Sequence, residues 1–182
     1  ADARVALEAL DRLYEASGRW AELENVLARR VALAPRDERP QILKRRALVQ
    51  AERLGRPDDA AATLREARAL VLADKTASPE LGEELGEELV RILTKAGRAE
   101  QAAEVLADRA RGLSARKAPA GEQAAIWVRL ATLRASELDD ADGARADIER
   151  ALALVPSHPS ALAELTRLSR AKQDPRAFAE AR

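Results

Sequence analysis

Apolar residues recur along the chain at helical spacing on either side of short polar turns. Before the first turn, Leu7, Leu10 and Tyr14 are three and four residues apart, which places them on one face of a helix. After that turn, Leu23 and Leu27 are again four residues apart. Comparable stripes flank the later turns. The pattern therefore predicts helices arranged in antiparallel pairs.

Four turns align along the chain, at Gly18, Gly55, Gly97 and Asp139. The intervals between them are 37, 42 and 42 residues, and periods of this size are typical of stacked helical hairpins. Each turn is followed by a pair of apolar residues on one helix face: Leu23 and Leu27, Ala60 and Leu64, Ala102 and Leu106, Ala144 and Ile148. Pro35 and Pro156 are expected to end the second helices of the first and fourth hairpins.

The predicted fold class is all-α, with about ten helices in a single domain over residues 1–182. The approximate repeats are 3–36, 37–76, 78–117, 120–156 and an incomplete fifth repeat, 158–182. The fifth turn is expected at 173–175. A longer loop is expected from Gly112 to Gly121, because glycines and Pro119 disfavour a helix there.

Local signals place the helix starts and one irregular repeat. Residues that favour helix starts precede three helical runs, at Asp37, Ser78 and Ser157. Pro79 suits a first helical turn. The second repeat has Lys44 where an apolar residue is expected, and Leu43 is predicted to take its place.

The order of these features resembles the tetratricopeptide repeat (TPR): an apolar helix, a Gly-Arg turn, a small residue, a bulky apolar residue four positions later, and a closing proline. The small residue is matched by Ala60, Ala102 and Ala144. Leu23 departs from the pattern, as do Arg30 and Arg109 at a later small position, and two intervals exceed the usual length of about 34 residues. The resemblance implies a right-handed α-solenoid, and the departures predict wider helix spacing or tilted pairs.

Glycine and tryptophan near the first turn have structural interpretations. Gly18 is expected to adopt the left-handed conformation that ends a helix. In the resembled family, an aromatic residue at the position of Trp20 packs across the hairpin; a ligand platform is the alternative. Trp127 is predicted to lie in the core.

Gly82 and Gly86 form a stripe within a predicted helix. This stripe predicts close packing of that helix against the second repeat, with packing against a partner helix as the alternative.

Composition and charge narrow the classes of function. Of the 182 residues, 47% are hydrophobic and 34% charged, as in a folded protein rather than a disordered one. The 31 basic residues balance 31 acidic ones, so clusters such as 29–30, 44–46 and 109–117 are not expected to bind nucleic acid. Cysteine is absent, which excludes disulfides and thiolate chemistry.

No segment of the sequence is predicted to insert into a membrane, because no apolar run approaches the roughly 18 residues that a span requires. The sequence shows no signal peptide, lacks methionine and begins at Ala1, so we expect a piece of a longer chain. The cytoplasm is the default expectation for its location. An exported form stays open if a signal was removed.

Candidate chemistry is sparse. Asp140, Asp142 and Gly143, with Glu149 six residues further on, match the later part of a calcium loop. Leu138, however, stands at the first ligand position, so helix capping is the favoured interpretation. The single histidine, His158, is expected at a helix entry. No catalytic site, metal site or cofactor is predicted.

The resemblance implies binding of a peptide or another protein on the inner face of the first helices. The residues at these positions are Glu8, Arg12, Arg45, Val49, Glu52, Glu87, Arg91, Lys95, Arg129 and Leu133. One subclass of the family grips a terminal carboxylate with Lys and Asn. In this chain Glu8 and Arg12 occupy the corresponding positions, so that mode is not expected.

Three functions are compatible with the sequence. The first is a non-catalytic scaffold or adaptor for a partner protein. The second is a structural segment of a longer solenoid, which would self-associate through the incomplete fifth repeat and its Phe178. The third is a regulatory domain of a larger protein.

Overall fold

The computed structural model describes residues 2–74 and 76–173. Within these ranges every regular element is helical. The elements are α1 (Asp2–Ala16), α2 (Trp20–Leu33), α3 (Arg39–Leu48), α4 (Pro57–Leu72), α5 (Pro79–Lys95), α6 (Ala99–Ala115), α7 (Ala120–Glu137), α8 (Ala141–Leu154) and α9 (Pro159–Gln173). A π-helical turn at Val49–Arg53, the π-turn, continues α3. The all-α prediction is confirmed. The remainder of the fifth repeat, with Phe178, lies outside the described residues.

The four aligned turn residues share one backbone conformation. The φ angle is 67° at Gly18, 64° at Gly55, 68° at Gly97 and 53° at Asp139. This left-handed region lets the chain leave a helix while its last carbonyls still accept hydrogen bonds. In the first turn, the Arg19 amide donates to the carbonyl of Tyr14 at 2.9 Å. The predicted conformation of the turn at Gly18 is confirmed.

The helices form two compact units, residues 1–97 and 98–182. In unit 1, each of α1 to α4 packs against the next helix along the chain. One core cluster contains Leu23, Leu27 and Val49, with Trp20 and Tyr14 packed against it. Trp20 therefore packs within its hairpin, as predicted.

In unit 2, α7 packs against α6, α8 and α9. The core cluster of this unit is built mainly from alanines, with Ile148 fully buried and Val128 8% exposed. Trp127 is partly buried against the same cluster, which confirms its predicted place in the core. The boundary between the units falls at Gly97, the turn of the predicted third repeat, and the single domain over 1–182 stays a prediction.

Most helix boundaries follow the local sequence signals. Helix α2 ends two residues before Pro35, and α8 ends two residues before Pro156. Helix α5 begins at Pro79, and Leu43 is fully buried. These predictions are confirmed. Lys44 instead reaches the surface, where its Nζ lies 2.5 Å from Glu84 Oε1.

Two predictions of local structure are wrong. The expected loop from Gly112 to Gly121 is mostly helical, because α6 extends to Ala115 and α7 begins at Ala120. Burial of Leu113, which is 3% exposed, keeps the end of α6 helical despite the glycine. Asp37 and Ser157 each lie two residues before a helix, α3 and α9, rather than next to its first residue, and the N-cap of α3 is Glu38.

At Gly82 the glycine stripe of α5 lies against the second repeat, as predicted, but the approach is not as close as predicted. Gly82 and Gly86 are both buried. A Cβ at Gly82 would lie 3.5 Å from Val71 Cγ1 and 3.9 Å from Leu72 Cδ2, both in α4. These are ordinary contact distances, so α4 lies beside the glycine with room for a methyl group.

None of the helices in the described part of the chain is long and apolar enough to cross a bilayer.

Candidate partner-binding groove

The residues predicted to line a binding face all lie on the first helices of their hairpins. Glu8 and Arg12 are in α1, and Glu87, Arg91 and Lys95 are in α5. Arg129 and Leu133 are in α7; Arg45 is in α3, and Val49 and Glu52 are in the π-turn. The structure brings only some of them together.

Three of the predicted residues line one cavity of unit 1. Glu52, Arg91 and Lys95 stand at its rim, and the cavity has a volume of about 150 Å³. We call it the α5 groove, and its lining residues are Ala51, Glu52, Pro57, Arg91, Ile92, Lys95 and Ala96. Four of these are apolar. The groove thus combines a small apolar floor with a charged rim, which is the usual composition of a site for a side chain of a partner.

Arg91 is held at the rim by two carboxylates. Its Nη2 donates to Glu52 Oε1 at 2.8 Å, and its Nε donates to Glu88 Oε1 at 3.1 Å. Hydrogen bonds to Glu88 and Glu52 raise the pKa of the Arg91 guanidinium further above its ordinary value. Its positive charge is therefore neutralised within unit 1.

Lys95 differs from Arg91. It is exposed one helical turn further along α5, and no ion pair or hydrogen bond to its ammonium group occurs among residues 2–74 and 76–173. An exposed ammonium beside an apolar cavity can pair with a carboxylate of a bound molecule.

Two other predicted residues take part in ion pairs between or along helices. Arg45 Nη1 donates to Asp11 Oδ2 at 2.9 Å, and Arg45 Nη2 donates to Glu15 Oε2 at 2.9 Å. These ion pairs link α3 to α1, and the one with Asp11 involves a carboxylate that is only 2% exposed. Glu8 accepts from Arg4 Nε at 3.4 Å on the surface of α1. Arg45 is therefore engaged in ion pairs that link α3 to α1.

Val49 and Leu133 are core residues. Val49 is 7% exposed and packs with Leu23 and Leu27, and Leu133 is 9% exposed. Helical spacing places them in the same register as their exposed neighbours, but it does not show how deeply a neighbouring helix covers them. The role of the ten residues in binding stays a prediction.

The π-turn is the feature that sequence reasoning missed. Gln50, 3% exposed, donates from Nε2 to Glu24 Oε1 at 2.9 Å and accepts from Thr63 Oγ1 at 2.8 Å. These bonds join the π-turn to α2 and α4. The widened turn carries Ala51 and Glu52, which line the α5 groove. The one available signal in the sequence is a glutamine at position 50 within the apolar helical stripe of Leu43, Ala47 and Leu54.

Unit 2 contains a wider and more polar groove of about 650 Å³. Its walls carry four acidic and two basic side chains: Glu100, Glu104, Asp108, Asp140, Arg111 and Arg134. Asp108 pairs with Arg111, and Arg134 Nε lies 3.7 Å from Asp140 Oδ2. Ala103, Ala107 and Leu138 also line this groove, which therefore differs from the α5 groove in its larger share of polar surface.

Asp147 lies beneath this part of unit 2. The residue is fully buried, with Arg134 Nη1 2.9 Å from its Oδ2 and Arg150 Nη1 2.5 Å from its Oδ1. Burial raises the pKa of the Asp147 carboxyl, and the two guanidinium groups offset part of that effect. The Asp147 carboxylate is closed to solvent and its two ion pairs join α7 to α8, while the side chain of Arg150 is 54% exposed.

The candidate chemical motifs have structural roles. Asp140 Oδ1 accepts from the Gly143 amide at 2.9 Å, as a cap of α8, which confirms the capping interpretation. His158 Nδ1 accepts from the Ala161 amide at 3.3 Å at the start of α9, as expected for a helix-entry residue. Within the described ranges, no group of three or more His, Cys, Asp or Glu residues is arranged to hold a metal ion.

Comparison with known proteins identifies the fold. No protein-family model matches the chain. No curated protein matches it significantly. Among solved structures it is similar to BtubC (BKLC) from P. vanneervenii, with 19% identity, a TM-score of 0.59 and coverage of 96% of this chain and 74% of that one.

Two further solved structures are similar. A kinesin light chain of P. anserina with nearly identical TPR-like repeats has 20% identity, a TM-score of 0.58 and coverage of 99% and 92%. The MamA RS-1 ArsTM double mutant has 17% identity, a TM-score of 0.55 and coverage of 99% and 90%. The chain therefore has the all-α, TPR-like helical-repeat fold that its sequence predicts.

Proposed function

We propose that the chain is a non-catalytic protein-interaction scaffold that binds a peptide or a partner helix in the α5 groove. The observation that carries this proposal is the meeting of Glu52, Arg91 and Lys95, from two successive hairpins, around one apolar cavity. TPR-like folds typically serve as interaction scaffolds without catalysis, and stacked hairpins present extended surfaces suited to partners.

The composition of the α5 groove supports a protein partner. Ile92 is 4% exposed and lies in the groove with Ala51, Pro57 and Ala96. An apolar floor with a polar rim resembles the centre and edge of a small protein interface. A partner side chain on the floor would be removed from water, while rim charges fix its orientation.

Photo-cross-linking tests this proposal. Because the chain has no cysteine, a single cysteine introduced at position 52 can be labelled with a benzophenone. The matched control is a labelled cysteine at position 29, where Arg29 is exposed on α2 outside the groove. In lysate of the source organism, we expect a protein to cross-link from position 52 and not from position 29. Equal cross-linking from both positions, or none from position 52, would contradict the proposal.

A second candidate function is assembly with another copy of the chain. Val5 and Leu13 lie eight residues apart on α1 and are 66% and 58% exposed, so α1 presents an apolar stripe. Sedimentation equilibrium tests this candidate directly. A dimer that Leu13→Lys converts to a monomer would favour assembly, and a monomeric wild-type protein would exclude it.

A further inference from the structure

The two cations at the rim of the α5 groove are unequal. Arg91 is flanked by Glu52 and Glu88, with 2.8 Å between Arg91 Nη2 and Glu52 Oε1. Lys95 has no such partner in the described part of the chain and stands at the last turn of α5. Taken together, these four side chains carry two positive and two negative charges, and only the ammonium of Lys95 is left without an opposite charge beside it.

The cavity beside Lys95 selects for size and polarity. Its volume of about 150 Å³ is roughly that of five waters in the liquid, which suits one aliphatic side chain. The floor is formed by Ile92 and by the small side chains of Ala51, Pro57 and Ala96. None of these can hydrogen-bond through its side chain, so a polar group that gives up water on the floor gains no bond there in return.

We propose that the α5 groove binds a peptide segment in which an aliphatic residue stands close to an Asp or Glu. The aliphatic side chain enters the cavity over Ile92, and the carboxylate pairs with Lys95 Nζ. This inference rests on the proposed scaffold function and names its partner by chemical class. A basic segment is disfavoured, because Glu52 and Glu88 already accept from Arg91 and a second cation would be repelled by Lys95.

Charge complementarity distinguishes this partner from a purely apolar one. An apolar segment gains from the floor alone, whereas an acidic aliphatic segment also gains a pair with Lys95. The pair lies at an exposed rim, so its contribution should weaken as salt is added. Binding of the proposed segment is therefore expected to be salt-dependent, with little effect of salt on a variant that lacks the cation.

Peptide selection tests the proposal. A library of short random peptides is selected on the whole chain, on Lys95→Glu and on Arg29→Glu. Arg29→Glu changes the net charge by the same amount as Lys95→Glu, but position 29 lies outside the groove. The helicity of all three proteins is checked by circular dichroism. Wild type and Arg29→Glu should enrich peptides with an aliphatic residue near Asp or Glu. Lys95→Glu should enrich an aliphatic residue near Lys or Arg instead.

Affinity measurements make the test quantitative. A peptide selected on wild type should bind Lys95→Glu about tenfold more weakly, which corresponds to about 1.4 kcal/mol. Replacing the peptide's carboxylate residue with Lys should restore binding to Lys95→Glu. Fluorescence anisotropy of the labelled peptide gives both constants.

Two outcomes would overturn the proposed partner class. The first is enrichment of peptides without acidic residues, or of peptides that bind Lys95→Glu as well as wild type. The second is no enrichment by any of the three proteins. In either case, cross-linking from position 52 is an independent readout. A specific cross-link there would preserve the scaffold function, with a different class of partner. If no specific cross-link forms there, the scaffold function and the proposed partner class are both overturned.

Discussion

At the scale of single residues, glycine in the turns contributes a backbone conformation rather than a contact. At Gly55, φ is 64° and nothing lies within 4 Å of the position that a Cβ would occupy. Alanine there should destabilise the protein by about 1–2 kcal/mol, the usual cost of a left-handed conformation for a residue with a Cβ. Urea unfolding monitored by circular dichroism measures this change.

Gly112 provides the matched control for Gly55. It lies inside α6, also with nothing within 4 Å of a Cβ position, but without a positive φ. Gly112→Ala should therefore stabilise the protein by up to about 1 kcal/mol through helix propensity. If both substitutions changed stability in the same direction, the role assigned to the left-handed turns would be wrong.

A second prediction at this scale concerns pH. Burial raises the pKa of Asp147 above its ordinary value of 3.8, so the folded protein keeps this proton at a pH where the unfolded chain has released it. The free energy of unfolding of wild type, relative to Asp147→Asn, should therefore decrease as the pH rises through the interval above 3.8. Denaturant titrations at a series of pH values measure the difference.

The control for this pH prediction is Asp142→Asn, an exposed substitution on the same helix that changes the net charge equally. Its difference from wild type corrects for the general effect of charge. If the relative stability of wild type instead increased with pH, Arg134 and Arg150 would outweigh the burial of Asp147, and the predicted direction would be wrong.

At the scale of elements, the π-turn depends on hydrogen bonds to two other helices. Gln50→Ala removes a hydrogen bond to Glu24 at 2.9 Å and one from Thr63 at 2.8 Å, while Glu24 keeps its bond from Arg46 Nε. The expected loss of stability is about 1–3 kcal/mol, since two hydrogen bonds are lost and the buried Thr63 hydroxyl loses its acceptor. A double-mutant cycle with Thr63→Val should give a coupling energy of about 0.5 kcal/mol or more. A coupling near zero would mean that Gln50 and Thr63 act independently.

Elements that depend on neighbours along the chain are predictable from the sequence, and those that depend on distant side chains are not. Gly18 and Pro79 act through backbone geometry that is local to the sequence, and the structure confirms both predictions. The π-turn depends on Gln50 meeting Glu24 and Thr63, which are far away along the chain. The same reason applies to the groove: spacing places Arg45 on the right helix, but only packing shows that Asp11 and Glu15 hold it.

At the scale of the whole molecule, residues 1–97 form a compact unit with its own core. In helical-repeat proteins, stability is approximately a sum of repeat and nearest-neighbour contributions. A fragment of residues 1–97 should therefore be helical and unfold cooperatively in urea. A fragment of residues 1–74, which lacks α5, should be less stable because α4 keeps its contacts with α3 but loses those with α5. A 1–97 fragment without a cooperative transition would contradict the assignment of this unit.

The central claim is that the α5 groove binds a partner protein through its apolar floor and Lys95. The most direct measurement is the dissociation constant of the protein that cross-links from position 52, for wild type, Lys95→Glu and Arg29→Glu. The account predicts that Lys95→Glu weakens binding about tenfold, or about 1.4 kcal/mol, while Arg29→Glu binds like wild type. Equal affinities for all three proteins would contradict it.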